Sequence, residues 1–153
     1  IYGHHMRTGN MFGKLVNFKS DSYYQQNDHM FIMTPQVTYR LELLCGAVVE
    51  PDDPIYSIDP TEEALAACMR RSTFRTKLDL PGEEARLVTL STCSYEFEDA
   101  RFVVVARLVR PGESAEVDTS KATANPNPRY PQAYYTAKNL TNPYYDAARW
   151  FVE

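Results

Sequence analysis

The sequence predicts a mainly β fold with short helices, and three observations predict it. Long runs rich in Val, Leu, Thr and Tyr occupy residues 37–50, 86–92 and 101–109. Only the stretch around 60–73 combines capping residues with an apolar face at helical spacing. Clusters containing Pro or Gly at 51–54, 81–84 and 111–112 separate these segments.

The elements follow in order. Ile1-Tyr2-Gly3-His4 reads as the end of a strand, so the chain is expected to begin inside a domain. Residues 11–18 and 21–26 read as short helical or turn segments around the Tyr23-Tyr24 pair. Met30 to Thr34 is a short apolar run closed by Pro35. Val37 to Glu50 is a long strand with a bend expected at Gly46. In the helix, Asp59 is the expected cap, Pro60 suits the first helical position and Glu62 completes a capping box. Ala64, Leu65, Cys68 and Met69 form its apolar face, and Arg70 and Arg71 suit its C-terminal end. The helix is expected to end near Ser72 to Phe74.

Pro81-Gly82-Glu83-Glu84 reads as a turn. Strands 86–92 and 101–109 are joined by the short acidic link 94–100, so they are expected to pair antiparallel. Beyond Pro111-Gly112 the character changes. Asn125-Pro126-Asn127-Pro128 favours turns and extended backbone, and a last short helix is expected from Asn142-Pro143 to near Trp150.

Composition limits the function classes. The 153 residues suit one domain, and 44% hydrophobic with 12% aromatic residues supports a packed core rather than a disordered chain. Sixteen basic against twenty acidic residues, a net charge of −4, provide no basic surplus for nucleic-acid binding. Three cysteines cannot all pair within the chain, so at least one thiol is free or paired elsewhere. There is no apolar run of membrane-spanning length. No Cys-x-x-Cys or His-x-x-x-His spacing marks a zinc site. Phosphate-loop, dinucleotide and Gly-x-Ser-x-Gly patterns are also absent.

The chemistry that remains centres on Cys93. A lone cysteine is most often a small buried hydrophobe, and Cys45 and Cys68 fit that reading because each lies on an apolar face. Cys93 stands where a strand turns into a loop, which is where binding groups gather. A thiol nucleophile needs a base or a neighbouring cation. If the two strands pair across 94–100, Arg101 faces Cys93 at the mouth of the hairpin; the commoner alternative is a solvated strand-end arginine. Histidine is the usual base, and the chain has His4, His5 and His29. His4 and His5 are adjacent in a strand, so only one of them should face a given site.

Three motifs resemble one family. Tyr2-Gly3-His4-His5-Met6 followed by Met11-Phe12-Gly13-Lys14-Leu15, then Leu87-Val88-Thr89-Leu90-Ser91-Thr92-Cys93, then Arg101-Phe102-Val103-Val104-Val105-Ala106-Arg107-Leu108 are similar to the histidine, nucleophile and arginine segments of class B sortases. They occur in the family's order, with the helix between them, and the resemblance covers residues 1 to about 110. It implies a sortase-type β-barrel lacking its N-terminal strands in this chain. Residues 1–110 would be the C-terminal portion of the catalytic domain, and 111–153 a Pro/Asn/Tyr-rich extension.

The resemblance also implies roles. Cys93 would be the nucleophile, His4 the catalytic histidine with His5 pointing away, and Arg101 the group that steadies the oxyanion. Ser91, Thr92 and Tyr56 would contact substrate. The implied activity is that of a cysteine transpeptidase with no metal or organic cofactor. It would cleave the sorting signal of a secreted protein at a Thr–Gly-type bond and pass the acyl group to a cell-wall amine. The implied place is the outer face of a Gram-positive membrane, held by an N-terminal anchor outside this chain. An open sheet edge is expected beside the strand ending at His4, covered by a separate fragment of the same polypeptide rather than by the tail. Two other readings use the same residues: a cysteine hydrolase with water as acceptor, and a non-catalytic binding module. Papain-like hydrolases carry their cysteine at a helix N-terminus, which disfavours the first.

Overall fold

The computed structural model describes residues 1–27, 30–75, 85–113 and 123–145. Its framework is a four-stranded antiparallel sheet in the order β1-β2-β5-β4. These strands are β1 (Met30–Met33), β2 (Thr38–Val49), β4 (Leu87–Cys93) and β5 (Arg101–Leu108). The sheet curls into a half-barrel, in line with the mainly β class predicted. A small second sheet pairs β3 (Phe74–Arg75) with β6 (Thr123–Ala124).

The central strands read as nearly continuous apolar runs because both faces of the sheet are covered. One face packs Leu41, Leu43, Val48, Phe102, Val104 and Ala106 against Leu15, Phe18 and Tyr24. The latter come from a 3-10 turn, Leu15–Lys19, and from α1 (Asp21–Gln26). The other face packs Cys45, Ala47, Val49, Val103 and Val105 against Leu65 and Cys68 of α2 (Glu62–Arg71) and Ile55 of the 3-10 turn Pro54–Tyr56.

The irregularity in β2 lies between Leu43 and Cys45, not at Gly46. Leu43 pairs with Ala106 and Cys45 with Val105, so Leu44 is an extra residue. The bulge lets Leu44 and Cys45 both face α2. Gly46 has another role: a Cβ there would stand 2.9 Å from Phe102 Cζ and 3.0 Å from Phe74 Cε1. Two aromatic rings thus close over a strand position without a side chain.

Helix α2 also begins later than the sequence predicts. Its cap is Thr61, whose hydroxyl accepts the Ala64 N–H at 3.2 Å, and not Asp59. Thr61 has the extended backbone of a cap, and placing it there puts Glu62 and Glu63 in the first turn, where they suit the macrodipole. Arg70 and Arg71 fall in the last turn as predicted.

Residues 1–5 bond to β4 and to their own following turn. Tyr2 bridges Ser91 in parallel, and His5 bridges Met11 antiparallel. Among the described residues no backbone bond joins residues 1–5 to 123–145. The described part of the tail crosses the face opposite α2. Asn125 N–H donates to Thr73 O at 3.0 Å, its side-chain amide donates to the buried Ser72 O at 2.7 Å, and Tyr130 and Tyr134 pack on the core. A helix the sequence reading missed, α3 (Gln132–Ala137), carries Tyr134 and the buried Tyr135. The expected turn at 81–84 and most of the helix expected after Asn142 lie outside the described residues. Among the described residues no helix is long and apolar enough to cross a membrane.

Gly46→Ala tests the ring closure over β2. The added methyl should destabilise the fold by about 1–3 kcal/mol, read as a lower urea midpoint with an unchanged slope.

Candidate active site

The site forms at the end of the β4–β5 hairpin. Cys93 pairs with Arg101, Thr92 with Phe102 and Ser91 with Val103. Ser94 N–H donates to Ala100 O at 2.9 Å at one end of the ladder, and Leu108 N–H donates to Arg86 O at 2.9 Å at the other. Hydrogen-bonded and non-bonded pairs alternate in an antiparallel ladder, so Cys93–Arg101 is a non-bonded pair. Such pairs bring side chains closest, with Cα atoms about 4.5 Å apart. Cys93 is part-exposed, unlike the buried Cys45 and Cys68.

The N-terminal segment lies along the outer edge of β4. Gly3 N–H donates to Ser91 O at 3.0 Å, and Ser91 N–H donates to Ile1 O at 2.9 Å. Tyr2 therefore sits opposite Ser91. Its ring stacks on Tyr56 with centroids 5.8 Å apart, and the Tyr56 hydroxyl is 2.8 Å from Ser91 Oγ. The alternation of extended backbone assigns His4 to the side of Tyr2, and Cys93 to the side of Ser91. The Thr92 hydroxyl, on the other side, donates to Gly3 O at 2.7 Å and is buried.

The two histidines part company here. His5 was expected to point away from Cys93, yet its Nδ1 lies 3.0 Å from the Cys93 carbonyl oxygen. A carbonyl only accepts, so Nδ1 carries the proton. The ring takes the place that the His5 main-chain N–H would occupy in the next rung of a parallel ladder, and it lies 5.1 Å from the Tyr95 ring. The His4 ring is exposed and makes no hydrogen bond among the described residues. His29 lies outside the described residues. Arg101 Nη1 donates to Asp99 O at 2.8 Å and Ala100 O at 3.1 Å, so the guanidinium folds back on its own turn. Among the described residues no cluster of His, Cys, Asp and Glu could hold a metal ion.

No family model matches the chain. A curated relative does: sortase B of Listeria monocytogenes is 27% identical over 118 residues, covering 71% of this chain and 47% of that protein. Among solved structures, Clostridium perfringens sortase B aligns with a TM-score of 0.62 at 26% identity, covering 71% of this chain and 63% of that one. Spy0129, a Streptococcus pyogenes class B sortase involved in pilus biogenesis, aligns with a TM-score of 0.60 at 26% identity, covering 71% of this chain and 62% of that one. This chain is a relative of the class B sortases. It spans about half the length of the curated relative and somewhat under two thirds of these structures.

Two supports of this sortase relative's site were not visible in its sequence. The first fixes Tyr56. Asp53 and Arg71 form a bidentate ion pair with side chains only 7% and 5% exposed. Asp53 Oδ1 also accepts the Ile55 N–H at 3.0 Å, and Asp53 O accepts the Tyr56 N–H at 3.0 Å. Helix α2 thereby anchors the turn that carries Tyr56. Burial raises the Tyr56 phenol to about 12, against the lowering effect of its bond to Ser91.

The second support holds the 94–100 loop from the opposite face. Lys19 donates to Ser94 Oγ at 2.7 Å and pairs with Glu96, which also accepts from Ser94. Burial would raise the Glu96 carboxyl, but the bonds from Lys19 and Ser94 hold it below its usual range. The signal available in sequence was weak: charged residues beside turns, without any pattern that names their partners.

Asp53→Ala removes the carboxylate that balances the buried Arg71 charge, so it should destabilise the fold by about 3–5 kcal/mol, measured by denaturant unfolding. The Tyr56 phenol yields a pH test. Its folded pKa of about 12 stands above the ordinary 10.0, so the unfolded chain releases the proton first. Stability should fall as pH rises from about 10 towards 12, and Tyr56→Phe should remove that part of the decline.

Proposed function

We propose that this chain carries the catalytic residues of a sortase B-like cysteine transpeptidase. Residues 1–110 would supply the active site, and 111–153 would form an extension, of which the described residues 123–145 pack behind it. The observation that supports this best is the pairing of a part-exposed Cys93 with Arg101 at a non-bonded position, on a strand flanked by the His4 segment. The kinship with class B sortases supports the same reading.

In this reading Cys93 Sγ attacks the carbonyl carbon of the Thr–Gly-type bond in a sorting signal. Negative charge develops on the carbonyl oxygen. Arg101 turns from its loop carbonyls to donate to that oxyanion, where a positioned donor contributes most. His4, as imidazolium, protonates the departing amine. The thioester on Cys93 is then attacked by an amine of the cell-wall precursor. His4 takes the proton of that amine, a new amide forms and Cys93 leaves as thiolate, restoring the starting pair. Ser91, expected to touch substrate, is buried and instead holds the half-buried Tyr56 hydroxyl, leaving Tyr56 as the member of the pair that can meet the substrate. Thr92 contributes by locking Gly3, and with it the His4 segment, onto β4. The setting that goes with this activity is the outer face of a Gram-positive cell membrane, where both the secreted substrate and the wall amine are found.

The test is turnover of a sorting peptide with and without an added amine. A transpeptidase forms the amide product when amine is present, whereas a hydrolase gives only the acid. Cys93→Ala should abolish turnover with the fold intact, while Cys45→Ala and Cys68→Ala retain it. Arg101→Lys keeps the charge but loses the planar fork, so the rate should fall by about 10²–10³. His4→Ala should cost more activity than His5→Ala; the opposite order would move the acid–base role to His5.

A further inference from the structure

Two of the three thiols are placed for chemistry that does not involve Cys93. Cys45 on β2 and Cys68 on α2 are both fully buried, and their sulfurs lie 3.4 Å apart, with the Cys45 thiol donating to Cys68. A disulfide bond is about 2.05 Å long, so closure needs an approach of roughly 1.4 Å. Rotation about the two χ1 bonds is the movement that closes this gap. The hydrogen bond to Cys68, followed by burial, holds the Cys45 thiol protonated, and the Arg71 guanidinium bears electrostatically on both sulfurs. The thiolate is the form that attacks a disulfide. Cys93 is out of reach of the pair. Cys93 pairs with Arg101 and Cys45 with Val105, on opposite sides of β5. Four residues along a strand span about 13 Å.

We propose that Cys45 and Cys68 are a redox-active pair that closes to a disulfide, stapling α2 to β2 and leaving Cys93 as the single free thiol. The oxidant is a small disulfide. Cys68 thiolate attacks one of its sulfurs and expels the first small thiol. With Cys68 in the mixed disulfide, the neighbouring thiol that held the Cys45 proton is gone; Cys45 gives that proton up, attacks the Cys68 sulfur as thiolate and expels the second small thiol. Two electrons leave the protein, and the two protons of the cysteine thiols end on the two released thiols. The cross-link closes a span of 23 residues and so restricts the unfolded chain. It also lies one turn before Arg71, the residue that anchors the Tyr56 turn through Asp53.

The full chain is incubated with hydroxyethyl disulfide in urea just below its unfolding transition, so that access does not limit exchange. It is then denatured, alkylated with iodoacetamide and mapped by mass spectrometry. The expected result is a peptide cross-linked between Cys45 and Cys68, with alkylation of both sites lost and restored by dithiothreitol. The thermal midpoint should rise on oxidation, and in Cys68→Ser it should not respond. Alkylation of both Cys45 and Cys68 after oxidation, or a cross-link that includes Cys93, would overturn the proposal.

Discussion

The site depends on the register of β4 on β5. The side-chain period of a strand is two, so a slip of one residue would turn Cys93 towards the Phe18–Phe102 face and bring Thr92 to the surface it now avoids. Burial of both faces prevents this slip. Val103 and Val105 are packed under α2, while Phe102 and Val104 are packed against Leu15 and Phe18. Sliding β4 by one residue would turn Leu90 away from the Phe102–Val104 cluster and put a polar β4 side chain in its place. The same register places Cys93 opposite Arg101 and Ser91 within bonding distance of Tyr56.

Polar groups behind the sheet steady the loops that the register leaves at its end. On one face the Asp53–Arg71 pair ties the Tyr56 turn to the last turn of α2. On the other, Lys19 ties Ser94 and Glu96 to the 3-10 turn while lying 5.2 Å from the centre of the Phe102 ring. Each is a hydrogen-bonded ion pair at the margin of the apolar core. In this position losing one partner leaves a charge poorly solvated, so the pairs specify geometry more than they add net stability.

The described tail occupies the face opposite the candidate site. Asn125 bonds to Ser72 and Thr73 at the end of α2, and α3 lays Ala133 and Tyr134 against the core of the sheet. This segment therefore completes a core and leaves the Cys93 side open. Its Asn-Pro pairs keep it out of the main sheet, since proline cannot donate to a ladder.

The sequence by itself determined the mainly β class, the pairing of the two strands around 94–100 and the opposition of Cys93 and Arg101. Apolar runs, a short acidic link and the odd cysteine count are local signals, and each of these readings needed only local signals. It also placed α2 nearly correctly, although Thr61 competed with Asp59 as a cap and prevailed because its hydroxyl reaches the Ala64 N–H. Tertiary structure alone decided the rest. The bulge at Leu44 arises because α2 offers room for two consecutive β2 side chains. The His5 ring reaches the Cys93 carbonyl because residues 1–3 dock in parallel on β4 and then leave it. The ion pair of Asp53 with Arg71 and the contact of Cys45 with Cys68 join residues 18 and 23 positions apart. No periodicity encodes contacts of that kind; they exist only once helix and sheet have packed.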